Sequence, residues 1–136
     1  MPSSSAPASP RLLSLVAAVS GLYDGLVGLV MLTARPWLAH VFAVPLPQPP
    51  IHADLNGVFL LAVALGYALP YSAPQRYRGY LWVMGPFLKG AGALTFVIDH
   101  VVRHSPPAFL LFAASDGTLA LVTLWALWKV PASAGA

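Results

Sequence analysis

The chain has 136 residues, of which 58% are hydrophobic and only 8% charged, with no cysteine and a formal net charge of +3. A soluble domain needs about a quarter of its residues charged to solvate its surface, so this composition, with a mean hydropathy of +0.75, turns most of the surface towards lipid. Disulfides, thiol redox chemistry and thiolate metal sites are excluded, and the seven Lys and Arg, scattered singly, form no basic stripe for nucleic acid.

Residues 1–10, which are Ser, Ala and Pro after Met1, are expected as a short disordered tail before one domain over residues 11–131. A transmembrane helix needs about 20 apolar residues, and Leu12–Ala34 supplies the first. The run is longer than the apolar core of a signal peptide and contains Asp24, so it is expected to stay in the mature protein. Arg35-Pro36 ends it, and Trp37–Phe42 reads as a turn or two of interfacial helix. Pro45, Pro47, Pro49 and Pro50 then exclude a continuous helix, because each lacks a backbone donor and restricts the residue before it. Further spans are expected over residues 51–71, 80–102 and 108–130, with turns at Ser72–Gly79 and Arg103–Pro107 and a tail over 132–136. The fold class is therefore all-α, an integral membrane four-helix transmembrane bundle.

Arg11, Arg76, Arg78 and Lys129 fall on one side of these spans, Arg35 and Arg103 on the other. The excess of basic residues marks the cytoplasmic face, so both termini are expected in the cytoplasm. Tyr71, Tyr77, Tyr80, Trp37, Trp82, Trp125 and Trp128 lie near span ends, as an aromatic belt would.

Each span contains a polar residue followed directly by glycine: Asp24-Gly25, Asn56-Gly57, Lys89-Gly90 and Asp116-Gly117. Counting from the span starts puts Asp24, Lys89 and Asp116 near mid-membrane and Asn56 closer to the outer face. In the first span seven Leu and four Val, each worth about −0.5 kcal/mol, outweigh a central Asp costing roughly +3. The third span, with Lys89, Pro86, Asp99 and three glycines, is near balance and depends on partners from the other helices. Small residues share the face of each charge, among them Ser20, Gly21 and Gly28 beside Asp24. They let backbones approach and turn the charges towards neighbouring helices, so an Asp–Lys–Asp core is expected.

That core has two readings. In the first it is structural, a buried ion pair that fixes helix register. In the second it is functional, since intramembrane ionisable groups mark substrate paths and proton relays. Asp24, Asp116 and Lys89 are then the candidate acid/base residues, with Asn56, Tyr23 and Ser20 as candidate binding residues. Two carboxylates beside one ammonium leave one acid uncompensated. Asp24 is expected to be that acid, because its glycine-lined face leaves room for a guest.

All four histidines fall on the expected outer side. His100 and His104 are spaced i, i+4, as a helical metal chelate would be, and His52 at the mouth of the second span completes a candidate metal set. The competing reading pairs Asp99 with Arg103 instead. No phosphate-binding loop, nucleophile elbow, zinc-protease or dinucleotide motif is present.

Leu65-Gly66-Tyr67, the turn Ala73-Pro74-Gln75-Arg76-Tyr77-Arg78 and Lys89-Gly90 give Leu60–Gly92 a resemblance to small bacterial four-helix membrane proteins of the DoxX-like group. The resemblance implies the fold and points to membrane redox complexes, though no cofactor ligand carries over and no cofactor is expected. The leading expectation for function is an accessory or lipophilic-ligand-binding membrane protein. The alternatives are a membrane-embedded acid/base isomerase or cyclase of a hydrophobic substrate, and a small proton-coupled transporter working as a dimer. Expected partners are the lipid bilayer, a lipophilic small molecule, other membrane subunits or a second copy in a homodimer, and no nucleic acid.

Overall fold

The structure is a computed structural model that describes residues 9–132; apart from Ser9, Pro10 and Ala132, the tails read at 1–10 and 132–136 lie outside the described residues. Four helical segments are long and apolar enough to cross a membrane, over Arg11–Thr33, Ile51–Ser72, Arg78–Arg103 and Pro107–Lys129. No strand occurs among the described residues. Leu22, Leu65, Phe87, Val101, Leu121 and Trp128 stand exposed on the outside of the bundle, an arrangement that suits hydrocarbon and not water. The chain is thus a multi-pass membrane protein with a four-helix transmembrane bundle.

Prolines decide where the helices break. Helix α1, Arg11–Thr33, is followed after Ala34 by the short α2, Arg35–Val41, which takes Pro36 in its first turn, where a missing donor costs nothing. The proline loop leads into α3, Ile51–Gly66, and α4, Ala68–Ser72, with only Tyr67 between them. Pro70 has no N–H to offer the Gly66 carbonyl one turn back, which marks that junction. The third span is divided more sharply. It begins as α5, Arg78–Trp82, widens into a π-helical turn over Val83–Lys89 that contains Pro86, and resumes as α6, Gly90–Arg103. Pro86 cannot donate to the carbonyl of Trp82, and a wider turn accommodates the gap. A 3₁₀ turn, Pro107–Phe109, opens the fourth span ahead of α7, Leu110–Lys129.

The helices pack as two hairpins. Helix α1 lies along α3 and α4, and α7 lies along α6, the π turn and α5, while α1 also meets α7. Glycines bring α1 and α3 together. A Cβ on Gly28 would stand 2.9 Å from the Gly57 carbonyl oxygen, and one on Gly21 would stand 2.9 Å from the Cβ of Tyr67. Near the chain termini the hairpins close on a core of Leu13, Val16, Ala17, Val63, Tyr67, Leu81, Ala126, Leu127 and Val130. The Tyr80 hydroxyl donates to the Val63 carbonyl at 2.6 Å, and Arg78 donates to the Leu127 carbonyl, which ties that end further. Towards the opposite end α3 has no packed interface with α6 or α7. The bundle is closed at one end and parted at the other.

The Gly28–Gly57 crossing leaves no room for a side chain, because the nearest atom is backbone. Gly28→Ala is expected to lower unfolding stability in detergent by about 1–3 kcal/mol, the usual cost of overpacking. Gly79→Ala, where an added Cβ meets nothing within 4 Å, should leave stability unchanged or slightly raised. Equal melting temperatures for the two variants would contradict this packing.

Candidate functional site

The three intramembrane charges expected to converge do so. Lys89 closes the π turn, and its ammonium donates to Asp24 of α1 at 2.5 Å and reaches Asp116 of α7 at 3.5 Å. The same ammonium lies 4.8 Å from the centroid of the Tyr23 ring, on whose face it gains a cation–π contact. Lys89 and Asp24 are 4% and 3% exposed, whereas the Asp116 side chain is 19% exposed. The 2.5 Å contact has the length of a short charge-assisted hydrogen bond, while 3.5 Å is at the limit of bonding. Asp24 is the close partner and Asp116 the loose one.

This reverses the expected roles of the acids. The glycine-lined face of Asp24 is taken up by helix packing, since Gly21 and Gly25 lie against Tyr67 and Ala64, and Gly28 against Gly57, although the Asp24 carboxylate still lines the cavity between the hairpins. Asp116 lines the same cavity and is the more open of the two acids, its side chain 19% exposed against 4% for that of Asp24.

Asp116 opens into a cavity of about 680 Å³ that fills the gap between the hairpins. Its floor is Asp24, Lys89 and Asp116, and its walls include Val27 and Met31 of α1, Ala53, Asn56, Phe59 and Leu60 of α3, and Leu88 of the π turn. The far end is roofed by Leu38, Ala39, Phe42 and the proline loop. One wall is aromatic. Phe42 stacks on Phe112 with centroids 4.8 Å apart and on Phe109 at 5.4 Å, and Phe96 stacks on Phe112 at 5.5 Å. At the mouth, Arg35 forms an ion pair with Asp54, which joins the start of α2 to the first turn of α3.

Of the candidate binding residues, Asn56 and Tyr23 line this cavity and Ser20 does not. Ser20 lies one turn nearer the closed end, fully buried, and its Oγ has no hydrogen-bond partner. Tyr23 is held by a residue that the sequence reading did not single out. Its hydroxyl lies 2.6 Å from Ser115 Oγ, which itself lies 2.9 Å from the Leu111 carbonyl. The Ser115 hydroxyl back-bonds along its helix, so Tyr23 donates to Ser115. No motif marks Ser115; its only signal is its position directly before Asp116.

The histidines are not gathered as the i, i+4 spacing suggested. Helix α6 ends at Arg103, and His104 caps it in the left-handed conformation, φ 55°, so the two imidazoles do not share a helix face. His100 Nδ1 lies 2.7 Å from the Ser105 carbonyl, while Asp99 and Arg103 form the competing i, i+4 pair at 3.0 Å. His52 lines the cavity. Among the described residues no group of three His, Asp or Glu side chains is arranged to hold a metal ion.

No family model, curated protein or solved structure matches the chain. The site's chemistry rests on its own geometry, which is that of an intramembrane cavity with apolar walls and a charged floor.

The unequal distances set an order of stability. Lys89→Met strands Asp24 in the buried core and is expected to cost about 3–5 kcal/mol. Adding Asp24→Asn should recover most of that loss, and adding Asp116→Asn distinctly less. Thermal unfolding of the single and double variants in detergent checks the order, and equal recovery by both amides would contradict it.

Proposed function

We propose that this protein binds a lipophilic small molecule within a bacterial inner membrane, with both termini in the cytoplasm, and acts as a binding or accessory protein. The observation that carries the reading is the cavity of about 680 Å³ that ends on Asp116 and Lys89. Small-molecule sites typically enclose about 300–1,000 Å³ and combine apolar walls with a few placed polar groups, and the cavity meets both conditions. Its position supports a guest drawn from the membrane. Asn56 and Phe59 line the cavity yet are exposed on α3, so entry lies along a helix face that meets lipid. A charged floor would orient an amphiphile with its polar group at mid-depth. The resemblance of Leu60–Gly92 to the DoxX-like group agrees with the fold part of this reading, and a second copy or other membrane subunits would serve the accessory role.

Asp116 also gives the acid/base reading its one support, because it is a carboxylate open to the cavity. Chemical conversion of a bound lipophile that depends on Asp116 would favour that reading over binding alone.

Native mass spectrometry in mild detergent should find about one bound lipophile per chain, and Ala53→Trp, which fills the cavity from α3, should displace it. Protein that is empty both in detergent and in lipid nanodiscs would contradict the proposal. Orientation has its own test. A single cysteine in place of Gln75 should resist a membrane-impermeant thiol reagent in intact cells, whereas one in place of Gln48 should react. The opposite pattern would reverse the topology.

A further inference from the structure

The four acidic residues of the chain are unequally partnered. Asp24 has Lys89 at 2.5 Å, Asp54 has Arg35, and Asp99 has Arg103 at 3.0 Å. The cationic partner of Asp116 is a distant share, at 3.5 Å, of an ammonium already bound to Asp24 and resting on the Tyr23 ring. Both Lys89 and Arg35, the Lys and Arg side chains at the cavity, therefore have their own carboxylates. The carboxylate left over faces the open space. An anionic guest would find no unpaired Lys or Arg there and would be repelled by Asp116, while a neutral guest would leave that carboxylate without a close partner near mid-membrane, which is costly.

A second, independent feature lies one helical turn away. Phe112 precedes Asp116 by four residues on α7, and Phe96 follows Gly92, the residue facing Asp116 Oδ2, by four on α6. Both rings line the cavity and stack on each other, and Phe42, stacked on Phe112 and Phe109, completes the wall. Aromatic faces attract cations through their quadrupole, most strongly where water is excluded, and combine with a carboxylate in the recognition of organic ammonium groups.

Resting on the binding function proposed above, we infer that the guest is a lipophilic cation, with its positive centre between Asp116 and the phenylalanine wall and its apolar part along α3. Such a guest balances the charges of the floor and needs no rearrangement of the Lys89–Asp24 pair. Asp116 sets the preference for charge, and Phe96 and Phe112 add to affinity without selecting one particular headgroup.

Tetraphenylphosphonium and tetraphenylborate, alike in size and shape and opposite in charge, test this directly. Binding is measured by equilibrium dialysis in a neutral detergent, corrected against protein-free micelles, and stoichiometry by native mass spectrometry. Tetraphenylphosphonium should bind saturably at one per chain, at least about tenfold more tightly than tetraphenylborate, a difference of about 1.4 kcal/mol. Asp116→Asn should reduce tetraphenylphosphonium affinity by about tenfold, and Phe112→Leu by about threefold. Should Asp116→Asn fail to fold, the comparison of the two ions on the unmodified protein decides. Equal binding of both ions, or an unchanged affinity in folded Asp116→Asn, would overturn the cation assignment and leave lipophile binding standing. Binding of neither ion, with no lipophile retained on purification, would overturn both.

Discussion

A single ammonium placed between two carboxylates at the middle of a membrane is the constraint on which the rest of this structure depends. Lys89 cannot face hydrocarbon at acceptable cost, and its span carries glycines, a proline and Asp99 besides, so the third helix needs the other helices in order to insert. Asp24 supplies the close contact at 2.5 Å and links the two hairpins. The π turn at Val83–Lys89 belongs to the same device. It absorbs Pro86 and ends on Lys89, which is buried, while Gly85 lies directly against Thr123 of α7. A wide turn beside a buried charge is a common feature of functional helices.

The charge cluster also divides the bundle into unlike halves. Towards the termini, side chains from all four spans interlock around Leu13, Tyr67, Leu81 and Leu127, each almost fully buried. Beyond the cluster α3 parts from α6 and α7, the hairpins meet again where Phe42 stacks on Phe109 and Phe112, and α6 has no buried residue at all. A bundle designed only for stability would carry its core through both halves, since voids forfeit dispersion contacts. Here the closed half holds the helices and the parted half is free to receive a guest, with Asp116 on the boundary between them. The same geometry reconciles the structural and functional readings of the buried charges. Lys89 and Asp24 form the close buried pair, and Asp116 is the acid that the proposed binding function would use.

Much of this was legible in the sequence, for reasons that are themselves physical. The bilayer fixes the length of each helix and forbids unsatisfied backbone, so the four spans could be located from hydropathy and proline alone. The convergence of Asp24, Lys89 and Asp116 was legible because charges in lipid require partners. Which acid lies closer was not, because it depends on how far each helix is rotated and on the π turn at Pro86. The aromatic wall escaped notice since Phe42 follows α2, Phe96 lies on α6, Phe109 in the 3₁₀ turn and Phe112 on α7, and no one spacing links all four. Ser115 carried no motif. Of the two readings of the outer histidines, the Asp99–Arg103 pair is the one that forms, because Pro106 and Pro107 stop α6 at Arg103 and remove the helical register that a His100–His104 chelate assumes.

The most direct measurement is an experimental structure of the protein in lipid, grown from a lipid mesophase or imaged in nanodiscs with a rigid binding partner. Non-protein density is expected in the cavity, running from Phe42 to within hydrogen-bonding distance of Asp116, with Lys89 still on Asp24. A bundle in which α3 closes onto α6, the cavity is filled by side chains and Asp116 is bonded to another protein group would contradict the assignment of this space as a binding site.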